Sequence, residues 1–249
     1  MAKLKSIIKI EGTLDGMTFY KSADGHLVRT KGGVSKGRIM NDPKFVRTRE
    51  NMQEFAHINK SGKELRHALG SLLRRGKDGR VSSRLVSILS KIKKLDGVSA
   101  RGKRQVNEGI QTAAGKLLLQ GFDFNKRAPL RQILLKMYGL DTSNGQVNIP
   151  DFIPLEDLNT PEGATHVSIS CGVLNYDFAT GIGDLQMSNT LSLSIDMQTT
   201  QVQIQPSQMP TGSGVNMYII LIEFFQEVNG LQYSLRNGSF NVLHLLDVV

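Results

Sequence analysis

Val215-Asn216-Met217-Tyr218-Ile219-Ile220-Leu221-Ile222-Glu223-Phe224-Phe225 carries apolar side chains at odd and even positions alike. Successive side chains of a strand point to opposite faces, so this run reads as the central strand of a sheet covered on both sides. Ile219, Ile220, Leu221 and Ile222 are then the middle of the core. Around this run the period is two. Val167, Ile169, Cys171 and Val173 alternate with His166, Ser168 and Ser170, and Leu191, Leu193 and Ile195 alternate with Ser192 and Ser194. Val202 and Ile204 sit among Gln201, Gln203 and Gln205, Leu231, Tyr233 and Leu235 give a one-sided strand, and residues 240–249 give a last one. Asn144-Gly145, Asn229-Gly230 and Asn237-Gly238 supply hairpin turns. Residues 121–249 therefore predict an antiparallel β-sandwich of jelly-roll or immunoglobulin-like type.

Upstream, over residues 42–120, the period is helical. Asp42-Pro43 is a helix start, with Asp capping free amides and Pro in the first turn. Phe45, Met52, Phe55, Ile58, Leu65, Leu69 and Leu72 recur as one apolar stripe. Gly62 falls on that stripe, where it permits a close helix contact or marks a break. After a turn at Lys77-Asp78-Gly79, Ser82 or Ser83 caps a second helix with the stripe Leu85, Ile88, Leu89, Ile92 and Leu95, ended by Asp96-Gly97. Ser99 opens a third stretch with Val106, Ile110, Leu117 and Leu118, weakened by Gly102, Gly109 and Gly115. The helices are expected to pack as hairpins through these stripes.

Residues 1–41 read as a β-arm with a Gly-rich connector. Short strands at 6–11, 17–21 and 26–30 are separated by Asp15-Gly16 and Asp24-Gly25, and Gly32, Gly33 and Gly37 follow among Lys31, Lys36 and Arg38. Strands this short bury little, so they must pack on the rest of the chain or on a neighbouring subunit. The fold class expected is α+β: β-arm (1–41), basic helical region (42–120) and acidic sandwich (121–249).

The 249 residues are 39% apolar and 21% charged, which excludes a disordered tail. No apolar run reaches the ~18 residues of a membrane span. The opening Met1–Ile10 breaks its apolar stretch with Lys9 and lacks a cleavage site, so a cytoplasmic protein is expected. Cys171 is the sole cysteine. Charge is divided unevenly. Residues 1–140 hold 30 of the 31 Lys and Arg against 11 acids, a balance of +19, whereas residues 141–249 hold Arg236 against 11 acids, a balance of −10. A positive half attracts polyanions, and it equally attracts the acidic half of another copy.

Motifs for chemistry are absent. Gly32–Gly37 lacks phosphate-loop spacing, Gly181-Ile182-Gly183 lacks the strand–turn–helix setting of a dinucleotide fingerprint, and Asn237-Gly238-Ser239 reads as a turn. Cys171, between Ile169 and Val173 at period two, reads as a buried structural thiol. His57 and His67 read as surface helix residues, His166 and His244 lie in strands without evident acid partners, and His26 follows a turn. Glu223 and Glu227 read as strand-end solubility residues. No catalytic, cofactor-binding or metal-binding residue is assigned, no cofactor is expected, and the protein is not expected to be an enzyme.

Two functions remain. The first is a self-assembling structural protein, a filament, tube or shell built from head-to-tail contacts between the basic and acidic halves. Its assembly residues are Ile7, Ile8, Ile10, Phe19 and Tyr20 of the arm, Arg47 and Arg49 of the basic half, and Glu156 and Asp157 of the acidic half. The alternative is nonspecific nucleic-acid binding by cations grouped at helix ends: Arg74, Arg75, Arg80, Arg84, Lys93, Lys94, Arg101, Lys103 and Arg104. The helical region lacks the aromatic interleaving of a single-strand binder. The partners expected are thus the protein itself or nucleic acid.

Gly12-Thr13-Leu14-Asp15-Gly16-Met17-Thr18-Phe19-Tyr20-Lys21, Leu27-Val28-Arg29, Lys31-Gly32-Gly33-Val34, Asn41-Asp42-Pro43, Arg47-Thr48-Arg49-Glu50-Asn51, Phe224-Phe225-Gln226-Glu227-Val228-Asn229-Gly230 and Asn241-Val242-Leu243 together resemble a group of Bacteroidota proteins of about this length, along most of the chain. The resemblance implies one complete protein. No activity is attached to that group, so the resemblance carries over no site residue.

Overall fold

The computed structural model describes residues 2–3, 8, 10–30, 33–235 and 238–249. They form a mixture of helices and antiparallel sheets, and the chain divides after Glu50 into two compact units, 1–50 and 51–249. No helix among the described residues is long and apolar enough to cross a membrane.

In the first unit, β1 (Ala2–Lys3), β2 (Gly12–Leu14), β3 (Met17–Ser22) and β4 (Gly25–Thr30) form one antiparallel sheet in the order β1-β4-β3-β2. Asp15 and Gly16 take φ of 49° and 77°, the left-handed pair that a tight hairpin turn requires. Of the strand expected at 6–11, residues 6, 7 and 9 lie outside the described residues, and Ile8, Ile10 and Glu11 are in no strand. Ser35 caps α1 (Lys36–Asn41), its hydroxyl accepting the Arg38 amide. The Asp42 carboxylate accepts the Lys44 amide at a 3-10 turn, Pro43–Phe45, just before α2 (Val46–Ala68). The Asp42-Pro43 start thus caps the short turn and not the long helix.

The division between units falls within α2. Beyond it come α3 (Ser71–Arg75), α4 (Val81–Lys93), α5 (Val106–Ile110), α6 (Ala113–Leu119) and α7 (Leu130–Ile133). Then follow β5 (Gly139–Asp141), β6 (Gln146–Phe152), α8 (Pro154–Asp157), β7 (His166–Tyr176), β8 (Gly183–Met187), β9 (Leu191–Ser194) and β10 (Thr200–Ile204). The last strands are β11 (Val215–Val228), β12 (Leu231–Ser234) and β13 (Val242–Val248). β11 and β7 pair without a register shift from Val215 opposite Tyr176 to Phe225 opposite His166. β13 and β12 flank β11, and β8 and β9 flank β7. β10, β6 and β5 form a second sheet in that order.

The central strand is buried on both faces, as its sequence requires. Met217, Ile219 and Leu221 join Leu65, Leu69, Leu85, Leu89 and Ile92 of the helices in one buried cluster. Tyr218, Ile220 and Ile222 join Ile149, Phe152 and Val202 of the second sheet in another. The boundary set at residue 120 from sequence runs through the first of these clusters.

Three local expectations change. On α2 the buried positions are Glu54, Ile58, Ser61, Gly62 and Leu65, while Met52 and Phe55 are exposed. A carboxylate occupies the slot beside Ile58 because Lys93 of α4 meets it. At α4, neither Ser82 nor Ser83 caps; Asp78 Oδ1 accepts the Arg80 amide, and the Ser83 hydroxyl donates to the Arg80 carbonyl. Finally, every residue of β12 is exposed, because β12 pairs with the end of β11 beyond both buried clusters.

Candidate functional site

The first unit is exposed along much of its sheet. No described side chain of β1–β4 is buried. Ile8, Ile10, Leu14 and Met17 are exposed, and Phe19 and Tyr20 are half-buried, with the Arg29 guanidinium 5.5 Å from the Tyr20 ring centroid. Ile7 lies outside the described residues. The outer edges of β1 and β2 pair with no strand among the described residues. Arg47 pairs with Glu50 at 3.0 Å on the helix surface. Arg49 is held differently. Its Nη1 donates to the carbonyls of Ile39 (2.7 Å) and Asp42 (3.0 Å), satisfying groups at the end of α1.

In the second unit, Glu156 is exposed, whereas Asp157 Oδ2 accepts the Ile153 amide at 2.8 Å and lies 3.4 Å from Lys136 Nζ. The cations chosen for polyanion binding fall into two sets. Arg75 pairs with Glu223, Lys93 with Glu54, and Arg84 with Asp78 while also donating to the carbonyls of Asp123 and Phe124. These three hold the fold together. Arg104 is half-buried, and its Nε has no hydrogen-bond partner. Arg74, Arg80, Lys94, Arg101 and Lys103 are exposed.

The acids and histidines are correspondingly reassigned. Glu223 is 4% exposed and ion-paired, so it is a core residue and not a solubility residue. His166 Nε2 lies 3.4 Å from Glu227, and His244 Nδ1 lies 2.6 Å from Asp123 Oδ1; both histidines have the acid partners that sequence spacing hides. His57 is half-buried and accepts the first amide of α5, from Val106, at 3.2 Å; burial pushes its pKa down, with Lys60 adding to the effect. Burial pushes the Cys171 thiol up, and its Sγ lies 3.4 Å from the Ile204 carbonyl, as a structural thiol should.

Two cavities bring charged groups together. A cleft of about 1070 Å³ contains the Asp123–His244 pair with Arg131 and Tyr138, whose hydroxyl is pushed up by burial. A groove of about 720 Å³ runs between α2 and α4 and is lined by Phe55, Asn59 and Arg66 from the first helix and by Lys91, Lys94 and four serines along the second. The sequence reading missed Phe55 and Arg66 here. Phe55 belongs to the apolar stripe of the sequence, and the exposure of its side of α2 puts an aromatic ring among the cations. Among the described residues no group of three or more His, Cys, Asp or Glu could hold a metal ion. Compared with family models, curated proteins and solved structures, the chain matches none.

Proposed function

We propose that this protein is a self-assembling structural subunit whose N-terminal sheet is completed by another copy, giving a filament, tube or shell. One observation carries the reading: the four-stranded sheet formed within residues 2–30 has no buried described side chain, its β1 and β2 edges pair with no strand among the described residues, and Ile8, Ile10, Leu14 and Met17 are exposed. A small sheet without a buried core of its own is marginal in water, and an unpaired edge accepts a strand from another chain. The opposed charge of the two halves of the sequence supports contacts between unlike surfaces, which propagate unless their rotation closes a ring. In this reading the two sheets of the second unit form a sandwich that serves as the rigid body of the subunit.

Light scattering on the purified, nucleic-acid-free chain tests the proposal. The full chain should give a mass several times 27.5 kDa, and removal of residues 1–35 should reduce it. Replacing Leu14 and Met17 with Lys should act in the same direction. Equal masses for the three proteins would refute the role of the sheet.

A further inference from the structure

Arg66, Lys91 and Lys94 line the groove between α2 and α4, and none of the three side chains has a hydrogen bond or ion pair among the described residues. No acid lines that groove. Its other walls are four serines (Ser82, Ser83, Ser87 and Ser90), Asn59, Val86 and Phe55, which is 59% exposed. Elsewhere in this unit three cations that touch the core are matched by carboxylates: Arg75 by Glu223, Arg84 by Asp78, Lys93 by Glu54. Here three are left unmatched around an uncovered aromatic face.

We propose that this groove binds single-stranded nucleic acid, with phosphates on Arg66, Lys91 and Lys94, the hydroxyls of Ser82, Ser87 and Ser90 as further donors, and a base stacked on Phe55. Cations along a groove track a phosphate backbone, and an exposed ring supplies sequence-tolerant stacking, the combination that suits an unpaired strand. A duplex hides the faces of its bases, so the ring gives it no contact. The aromatic interleaving missing from the linear sequence is supplied across the two helices, since Phe55 and Lys91 lie on different elements of one wall. This site is independent of the N-terminal sheet.

Fluorescence anisotropy with a labelled twelve-nucleotide oligo-dT on the full chain tests it, against a blunt duplex of the same length and against inorganic phosphate as competitor. Oligo-dT should bind more tightly than the duplex and resist millimolar phosphate. Three neutralised phosphates predict a slope of log affinity against log salt of roughly −2. Phe55→Ala should weaken binding about tenfold. The double reversal Lys91→Glu with Lys94→Glu should weaken it at least as much, whereas Arg74→Glu with Lys103→Glu, outside the groove, should change it less than twofold. These side chains are exposed, and an unchanged Tm confirms that each variant folds. Equal affinity for the duplex, full competition by phosphate, no effect of Phe55→Ala, or an equal loss on reversing Arg74 and Lys103 would each overturn the proposal.

Discussion

Arg75, the last residue of α3, and Glu223, within β11, stand 148 positions apart and form a two-pronged ion pair, with Arg75 Nε 3.0 Å from Glu223 Oε1 and Nη2 on the other oxygen. The Asn241 side chain donates to the Arg75 carbonyl at 3.0 Å, so the same turn is tied to the sheet twice. Arg75→Ala leaves the buried carboxylate without its partner and should cost about 2 kcal/mol, moderated because the arginine is partly exposed. Arg75→Met with Glu223→Leu should recover most of that loss. Urea unfolding midpoints decide; a double variant no more stable than Arg75→Ala would show that the pair is not the tie.

Two helical glycines should respond in opposite directions. A Cβ at Gly62 would sit 3.4 Å from Leu89 Cδ1, an ordinary contact, so Gly62→Ala should stabilise by up to about 1 kcal/mol through helix propensity. A Cβ at Gly109 would overlap the Ile92 carbonyl, backbone that cannot swing aside. Gly109→Ala should therefore cost about 2 kcal/mol or more. Thermal melts of the two single variants check the sign of each.

Stability should fall in acid for identifiable reasons. Burial pushes the Asp96 carboxyl up, but amide hydrogen bonds from Ser99, Gln105 and Val98 outweigh it and hold its pKa at about 2. The unfolded chain then binds this proton more readily, so about 2 kcal/mol present above pH 4 should be lost between roughly pH 4 and 2. His57, also lowered, should cost stability as pH drops below about 6.5, where its unfolded form is protonated first. Asp96→Asn should be less stable than the parent at pH 7, with the gap narrowing by pH 3, and His57→Gln should flatten the change between pH 7 and 5. A constant gap for Asp96→Asn would contradict the assignment.

Arg47 and Arg49, equivalent in the sequence reading, should separate in experiment. Arg47→Glu removes only an exposed pair with Glu50, worth about 0–1 kcal/mol, and should leave melting unchanged. Arg49→Glu removes both donors to the Ile39 and Asp42 carbonyls and should destabilise the α1 segment. Amide exchange across residues 36–45 reads the difference; equal protection in the two variants would contradict it.

Legibility in the sequence followed the range of the interaction. β11 is readable because a β-branched apolar run with both faces apolar fits a strand covered on two sides, and Ile219 to Ile222 are all buried. The Asp15-Gly16 turn was readable because its backbone requirement lies within two residues. The stripe on α2 failed at Phe55 because burial of Glu54 depends on Lys93, a partner 39 positions away. Glu223 and His244 were misread for the same reason, their partners lying 148 and 121 positions off. The groove of Phe55, Arg66, Lys91 and Lys94 exists only once two helices lie side by side.

The most direct measurement of the central claim is negative-stain electron microscopy of the purified, nucleic-acid-free full chain at moderate salt. Self-assembly through the N-terminal sheet predicts ordered filaments, tubes or shells that are shortened or lost when residues 1–35 are removed. A field of monodisperse particles the size of one 27.5 kDa chain, unchanged by that removal, would contradict it.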